Sequence, residues 1–234
     1  MTLVARREDR LKELATELER SHGVAAGYVA ADLTDPTEWK RVAESVAERD
    51  LEVEILANNA GFGTFGPFHK LDPERELEEV RLNCEAVVAL SSAYLPQMVE
   101  RGRGAILNVA SVAAFQPQPF NAIYAATKAF VLSFSEAIHA ELAGTGVTVT
   151  AVCPGPVDSE FYKASGSQDA IARAAAITMS SSQCAETALR ALELGRRNTI
   201  PGWPIKLVAF GSRSLPTSIK LPVAKRFLKN YAQS

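Results

Sequence analysis

The sequence predicts an α/β fold in which helices flank a parallel β-sheet. Short apolar runs at residues 53–57, 105–110 and 147–153 alternate with longer amphipathic segments. The runs have the length of buried strands, and the segments between them have the length of the helices that connect parallel strands. The chain has 234 residues, of which 47% are hydrophobic and 22% charged, which fits one globular domain over residues 1–234.

The first elements are a strand, a helix and a second strand. Residues 3–5 look like the end of a strand, residues 8–22 read as a helix, and residues 24–31 read as the second strand. Gly23 is expected to end the helix, because glycine readily takes the left-handed conformation that closes a helix. Three leucines are spaced so that they share one face of this helix: Leu11, Leu14 and Leu18.

Two Asp-Pro pairs mark the starts of later helices. Asp35 is a helix cap, and Pro36 takes the first helical position after it. The same signal at residues 72–73 opens a long helix that carries Asn83. A further helix is predicted from residue 121 to residue 142, and its many alanines allow close contact with a second helix.

The cysteines and histidines indicate neither a metal site nor a disulfide framework. They are few and widely spaced: Cys84, Cys153 and Cys184, and His22, His69 and His139. No apolar run approaches the ~20 residues that are needed to span a bilayer, and the N-terminus has no signal-peptide pattern. We therefore expect a soluble cytoplasmic protein that binds no metal and no nucleic acid.

A tyrosine and a lysine four residues apart carry the most specific chemical signal. Tyr124 and Lys128 stand one turn apart on the same face of a helix. A phenol titrates near pH ~10 in water, and a nearby ammonium lowers that pKa because it stabilises the phenolate. Ser111 precedes Tyr124 by thirteen residues, and its hydroxyl can hold a carbonyl oxygen beside the phenol. The three groups predict a proton-transfer site that interconverts an alcohol and a carbonyl.

Further motifs accompany these residues in a fixed order. Residues 58–61 read Asn-Asn-Ala-Gly after an apolar run, Asn83 follows, Ser111 ends a second run, and residues 154–155 end a third as Pro-Gly. Together with the Tyr124–Lys128 pair, this order resembles the short-chain dehydrogenase/reductase family over nearly the whole chain. The resemblance implies a Rossmann-like, doubly wound parallel sheet flanked by helices.

One family motif is absent, the glycine-rich turn whose backbone N–H groups hold the pyrophosphate of a dinucleotide. Met1 falls at the family's second strand, so the resemblance implies that the first strand and helix are lacking. This absence has two interpretations. We favour a protein that begins further upstream, because the catalytic motifs are intact. The alternative is a non-catalytic relative with an interaction or regulatory role.

By resemblance, residues along the chain contact a nicotinamide cofactor. Arg6 and Arg7 follow the second strand, where arginine suits the 2′-phosphate of NADP better than the 2′-hydroxyl of NAD, so NADP is the expected cofactor. The resemblance implies further contacts at the adenine from Asp32 and Leu33, at the ribose from Asn58, Ala60 and Gly61, and at the nicotinamide carboxamide from Pro154, Gly155, Val157 and Ser159.

The resemblance also implies catalytic roles. Tyr124 is expected to protonate the carbonyl oxygen during reduction, and Ser111 is expected to orient that carbonyl. Lys128 lowers the pKa of Tyr124 and bonds the nicotinamide ribose. Asn83 is expected to hold a water molecule for a proton relay with Lys128.

The C-terminal region, about residues 190–234, is strongly basic. Residues 194–234 contain eight Lys/Arg and no Asp/Glu, whereas the rest of the chain has 17 Lys/Arg against 27 Asp/Glu and therefore a net charge of −10. We favour a cap that packs over the substrate cleft and exposes a basic side. Contact with an anionic membrane surface or an acidic substrate tail is the alternative. Four prolines are expected to break any long helix there: Pro201, Pro204, Pro216 and Pro222.

Aromatic residues surround the predicted site and indicate a bulky apolar substrate, such as a keto-acyl chain, a steroid-like ketone or a hydrophobic aldehyde. They include Phe62, Phe65, Phe68, Phe115, Phe120, Phe161 and Tyr162. Ordinary packing beneath loops is the alternative. The sequence thus predicts an NADP-dependent carbonyl reductase or alcohol dehydrogenase. Since the helices that carry Asn83 and Tyr124 often form a dimer interface in the resembling family, a homodimer or homotetramer is expected.

Overall fold

The computed structural model describes residues 1–165 and 175–229. In this part of the chain the strands are short, with these bounds: β1 Thr2–Ala5, β2 Gly27–Ala30, β3 Ile55–Asn58, β4 Gly104–Val109, β5 Val147–Val152, β6 Val157–Asp158, β7 Met179–Ser180 and β8 Asn198–Thr199. Each strand is parallel to its neighbours. One sheet has the order β1-β2, a second has the order β3-β4-β5-β8, and β6 pairs with β7.

Helices connect the strands and form the C-terminal region. Their bounds in the described residues are α1 Glu8–His22, α2 Pro36–Ala47, α3 Pro73–Val80, α4 Ala86–Arg101, α5 Ala122–Glu141, α6 Phe161–Ala164, α7 Ser181–Glu193, α8 Trp203–Ser214 and α9 Thr217–Lys229. A π-helical segment, Arg81–Glu85, joins α3 to α4, and short 3₁₀ helices lie at Phe68–Lys70, Val112–Phe115 and Ala175–Ile177.

Local capping explains why several helices begin and end where the sequence predicts. The carboxylate of Asp35 accepts from the backbone N–H of Thr37 at the start of α2, and Asp72 accepts from Glu74 at the start of α3. Each cap satisfies an N–H group that has no partner inside the helix. Gly23 ends α1 with a φ of +63°, in the left-handed region.

Other predicted details differ from the structure. The buried residues of α1 are Leu11 and Ala15, whereas Leu14 is 43% exposed, because only one narrow stripe of this surface helix meets the sheet. The helix that carries Asn83 is interrupted by the π-helical segment. At the C-terminus, Pro216 separates α8 from α9 as expected, but α9 continues through Pro222. Residues 230–234 of the basic region lie outside the described residues.

Helices cover both faces of the larger sheet. On β4, Ile106 packs with Met98 of α4 in one buried cluster, whereas its neighbour Leu107 packs with Leu192 of α7 in another. Successive residues of a strand point to opposite faces, so the two clusters lie on opposite sides of the sheet. The first cluster also contains Val29 of β2, so a shared core joins the two sheets. The architecture is a Rossmann-like α/β fold with a parallel sheet flanked by helices.

Within the described ranges, no helix is long and apolar enough to cross a membrane.

Candidate active site

The carboxyl ends of β1, β3, β4 and β5 open on one cleft of about 1550 Å³. Its walls include Arg6 after β1, Gly61 after β3, Ser111 after β4 and Gly155 after β5. Ligands bind at this edge of open α/β sheets, because the loops that leave the strands there converge. The volume exceeds the ~300–1,000 Å³ of an ordinary small-molecule site and leaves room for two ligands side by side.

Ser111, Tyr124 and Lys128 meet in this cleft. The Tyr124 hydroxyl forms a hydrogen bond with Ser111, and Lys128 Nζ lies 5.7 Å from the centroid of the Tyr124 ring. Lys128 Nζ donates to the carbonyl oxygen of Val109 at 2.8 Å, which ties α5 to the end of β4. The ring of Phe161 lies beside Tyr124, with centroids 5.3 Å apart. The structure therefore brings the three predicted catalytic side chains together.

Loss of solvation controls the charges of this site. Desolvation raises the pKa of Tyr124 above its ordinary value, and the hydrogen bond with Ser111 offsets only part of that rise. Desolvation also lowers the pKa of Lys128 to about 8, against the opposing effect of Glu79. The net shift of the Tyr124 pKa is therefore opposite to the direction expected from the lysine charge alone. Desolvation is the larger effect, and the phenol is protonated at neutral pH.

Asn83 lies beneath the cleft and does not belong to its wall. It is fully buried, and its Nδ2 donates to the carbonyl oxygen of Phe62 at 2.9 Å and to Thr127 Oγ1 at 3.1 Å. The backbone N–H of Phe62 donates to Asn83 Oδ1 at 3.3 Å, and Thr127 Oγ1 donates to the carbonyl oxygen of Tyr124 at 2.9 Å. The hydrogen bonds of Asn83 thus connect the loop after β3 to α5. Its role in a water relay stays a prediction.

Two glycines in that loop leave space for the catalytic side chains. A Cβ atom on Gly61 would lie 2.9 Å from Asn83 Oδ1 and 3.3 Å from Lys128 Nζ. A Cβ atom on Gly63 would lie 2.9 Å from Cδ2 of Tyr124. These distances are shorter than ordinary van der Waals contacts, so any larger residue would displace the lysine or the tyrosine.

Three arginines gather at the other end of the cleft. Arg6 lies 3.6 Å from the carboxylate of Asp32, while Arg7 and Arg10 bind Glu160 at 2.8 and 2.7 Å. Hydrogen bonds from Arg10 and Arg7 lower the pKa of Glu160 to about 2. All five side chains line the cleft. The carboxylate of Glu160 shows that Arg7 and Arg10 converge on a single anion.

Most of the other predicted cofactor residues also line the cleft, namely Leu33, Ala60, Gly61, Pro154, Gly155, Val157 and Ser159. The side chain of Asn58 does not, and the predicted role of its backbone beside the ribose stays a prediction. Its buried side chain donates to Asn108 Oδ1 at 2.9 Å and to Ser91 Oγ at 3.3 Å. Because strand residues alternate in direction, Ala57 reaches the cleft and Asn58 points into the core.

The sequence analysis does not identify Arg10, Glu160 or Glu79. Arg10 has a recognisable signal, because it lies one helical turn beyond Arg6 and Arg7. Glu79 also has one, since it precedes Asn83 by four residues on a predicted helix. No local pattern connects Glu160 with an arginine that lies 150 residues before it in the chain.

Glu79 is a buried ionisable group whose charge acts on both Tyr124 and Lys128. Its side chain has 0% exposure, its Oε2 accepts from Thr64 Oγ1 at 3.0 Å, and its Oε1 has no hydrogen-bond partner within the described ranges. Burial raises the pKa of Glu79 to about 7, the like charge of Glu76 adds to the rise, and the charge of Lys128 opposes it. Glu79 therefore titrates near neutral pH.

The substitution Glu79→Gln is expected to change how stability depends on pH. Unfolded Glu79 releases its proton near pH 4.5, whereas the folded protein retains it to about pH 7. The native state therefore binds more protons in this window, and the free energy of unfolding falls as the pH rises through it. The fall is about 3 kcal/mol for this gap in pKa. Urea unfolding at pH 5, 6, 7 and 8 should show a smaller decline in the variant.

The matched control is Glu17→Gln, which removes an exposed carboxylate from α1. It should leave the decline between pH 5 and pH 8 as large as in the parent protein. An equal decline in Glu79→Gln and the parent would contradict a buried, late-titrating Glu79.

A family model described as short chain dehydrogenase matches residues 1–170 of the chain. The chain belongs to the short-chain dehydrogenase family. Ser111, Tyr124, Lys128 and the arginines of the cleft all lie inside the matched residues, whereas α7, α8 and α9 lie beyond them. The matched residues therefore contain the whole Ser111–Tyr124–Lys128 site, and the three C-terminal helices lie outside the match.

Relatives and solved structures agree with this membership. A short chain dehydrogenase of Pseudocercospora fijiensis is 39% identical over 162 residues, which are 68% of this chain and 52% of that protein, so this chain spans about half the length of that relative. Very-long-chain 3-oxoacyl-CoA reductase of Bos taurus is 31% identical over 229 residues, which are 96% of this chain and 70% of that protein. A short-chain dehydrogenase from Sphingobium yanoikuyae, solved with NADPH, has a TM-score of 0.80 at 33% identity and covers 90% of this chain and 82% of its own.

Proposed function

We propose that this short-chain dehydrogenase is an NADP-dependent oxidoreductase that interconverts a carbonyl and an alcohol. The observation that carries the proposal is the meeting of Ser111, Tyr124 and Lys128 in one cleft at the carboxyl ends of the strands. A hydroxyl, a phenol and an amine in this arrangement can hold a carbonyl oxygen and transfer one proton to it.

Tyr124 is the proton donor of the proposed reduction. Desolvation raises its pKa, so the hydroxyl carries its proton at neutral pH and can give it to the oxygen of a carbonyl. Ser111 Oγ forms a hydrogen bond with the same hydroxyl and is placed to hold that oxygen. A nicotinamide cofactor, when bound, supplies the hydride for the carbonyl carbon. The products are an alcohol and a Tyr124 phenolate that must regain a proton.

Lys128 and Asn83 position this proton donor. Lys128 is 5% exposed, and its pKa of about 8 keeps it largely charged at neutral pH. Its charge near the ring favours the phenolate that forms when Tyr124 gives up its proton. Asn83 holds Thr127, which in turn holds the backbone of Tyr124. The two buried side chains keep the reacting hydroxyl in a fixed position.

The arginines of the cleft support the choice of NADP. Arg6, Arg7 and Arg10 bring three positive charges to the end of β1, and two of them already bind the carboxylate of Glu160. A 2′-phosphate is a doubly charged anion with more acceptor oxygens than a carboxylate, so it suits this cluster. At the same end, Asp32 and Leu33 line the space for an adenine. The residues present thus fit the phosphorylated cofactor.

We propose an apolar ketone or keto-acyl compound as the substrate. The cleft wall near Tyr124 carries Phe62, Phe65 and Phe161, and Ile205 and Val208 of α8 complete it. These contacts support the proposal that the C-terminal helices form a substrate cap. The bovine relative is named a very-long-chain 3-oxoacyl-CoA reductase, which is in keeping with a long apolar chain.

The direct test is a series of ketones with alkyl chains of increasing length, assayed by the oxidation of NADPH. Each buried CH₂ group contributes about 0.8 kcal/mol, so KM should fall by roughly three- to fourfold per carbon until the cleft is filled. NADH in place of NADPH should give a lower kcat/KM. A protein that oxidises neither cofactor with any member of the series would overturn the proposed function.

A further inference from the structure

The helix α8 has two different apolar faces. Ile205, Ala209 and Ser212 lie on the face that lines the cleft, and the first two are 4% and 2% exposed. On the opposite face, Trp203 and Leu207 are one turn apart and are 74% and 64% exposed. Phe210, one turn further, is 72% exposed. The helix therefore shows large apolar side chains to the outside of the molecule as well as to the cleft.

The helix α9 repeats this arrangement. Its Ala224 is 7% exposed and lines the cleft with Leu228. Ile219 and Val223, one turn apart, are 52% and 65% exposed on the outside. Two consecutive helices thus expose apolar stripes. Exposed apolar side chains that cluster in this way mark an interaction site. We call the outward side chains of Trp203, Leu207, Phe210, Ile219 and Val223 the outer apolar face.

Exposed basic residues accompany the outer apolar face on both helices. Lys206 is exposed beside Leu207 on α8, and Lys225 and Arg226 are exposed after Val223 on α9. The sequence from residue 194 to residue 234 adds no Asp or Glu to balance them. An apolar stripe flanked by lysine and arginine, with a tryptophan at one end, is the composition of a helix that lies in the interface of an anionic bilayer.

We propose that the outer apolar face docks on an anionic lipid membrane, with α8 and α9 lying in the interface. The charge of the region decides against a second copy that packs symmetrically through the same face. Two copies joined through this face would bring two basic regions together without acidic partners. Anionic headgroups instead supply the missing negative charge, and the acyl boundary accepts Trp203 and Leu207.

The same orientation would place the cleft near the membrane. Val208 lines the cleft and is 63% exposed, so it stands at the rim between the outer apolar face and the cavity. A lipid-soluble substrate can therefore pass from the bilayer to the cleft over an apolar edge. The docking itself is independent of the proposed reaction, because none of its residues belongs to the Ser111–Tyr124–Lys128 site.

The test is co-sedimentation of the protein with vesicles of pure phosphatidylcholine and with vesicles that contain 30% phosphatidylglycerol, on the order of a biological anionic fraction. The protein should bind the anionic vesicles at least tenfold more tightly than the phosphatidylcholine vesicles. Addition of 0.5 M NaCl should weaken that binding, because the Debye length then falls to about 4 Å and charges further apart are screened. The emission of Trp203 should shift to the blue on binding. Trp203→Phe should still bind but lose most of this shift, because Trp39 is partly buried and bonded to the carbonyl oxygen of Leu33.

The decisive variant is Trp203→Ala combined with Leu207→Ala. It removes apolar area from the outside of α8 without touching the cleft-facing residues, so we expect at least tenfold weaker vesicle binding and an unchanged far-UV spectrum. The matched control combines Leu14→Ala and Leu77→Ala, two leucines that are 43% and 51% exposed on other helices. It should bind vesicles like the parent protein.

Three outcomes would overturn the proposal. The folded parent protein could fail to bind anionic vesicles, or it could bind neutral vesicles equally well. The double variant could bind as tightly as the parent. A parent dimer that ignores vesicles and dissociates in the Trp203→Ala, Leu207→Ala variant would show that a second copy covers this face.

Discussion

Replacing Tyr124 by phenylalanine is expected to lower kcat by about 10²–10⁴, the range that a positioned general acid contributes. The variant keeps the ring, which packs beside Phe161 and against Gly63, and loses only the hydroxyl that bonds Ser111. NADPH binding, measured by fluorescence titration, should change little. Steady-state oxidation of NADPH with the preferred ketone provides the rate.

The matched control for this variant is Tyr94→Phe. Tyr94 is 8% exposed in the core on α4 and is absent from the cleft wall. Removing its hydroxyl should leave kcat within about twofold, because nothing in the proposed proton transfer depends on it. Retained turnover in Tyr124→Phe, or an equal loss in both variants, would remove the basis for assigning Tyr124 as the proton donor.

Replacing both Arg6 and Arg7 by alanine is expected to raise the KM for NADPH by about 10- to 100-fold. The net loss of one hydrogen bond to a charged group costs about 1.5–3 kcal/mol, which corresponds to this range, and Arg10 offsets part of the double loss because it still supplies one charge to the site. The KM for NADH should change by less than about threefold, because NADH has no 2′-phosphate. The ratio of the two KM values is therefore the informative measurement, and kcat with either cofactor should be nearly unchanged.

Arg20→Ala serves as the control for charge alone. Arg20 lies in the last turn of α1, is exposed, and is absent from the cleft wall. Its loss removes one positive charge from the helix that follows Arg6 and Arg7 without altering the cleft, so both KM values should stay near those of the parent. Equal increases for NADPH and NADH in the double variant would show that the arginines hold some other part of the ligand.

The features that the sequence predicts correctly depend on local interactions. Asp35 and Asp72 cap their helices through the N–H groups two residues ahead, and Gly23 ends α1 through its own backbone conformation. Such contacts need only neighbours in the chain, so a short pattern identifies them. The order of the family motifs reaches further, because it groups Ser111 with Tyr124 and Lys128, which are not all neighbours in the chain.

The features that the sequence does not show depend on burial and on distant contacts. Leu14 fits the helical period but is exposed, because the sheet covers a narrower stripe than the spacing suggests. Asn58 has the right motif, yet the direction of its side chain follows from the pleat of β3 and the partner Asn108 on β4. Neither the width of a packed stripe nor the partner across a sheet is encoded in a short segment.

The sequence by itself determined the fold class, several helix ends and the candidate catalytic set, because periodicity, capping and motif order act within short segments of chain. The tertiary structure alone decided that Glu160 meets Arg7 and Arg10, that Glu79 is buried beside Lys128, and that Tyr124 has a raised pKa. A pKa in a folded protein depends on how much water the surrounding atoms exclude. That exclusion arises only when segments far apart in the sequence pack together.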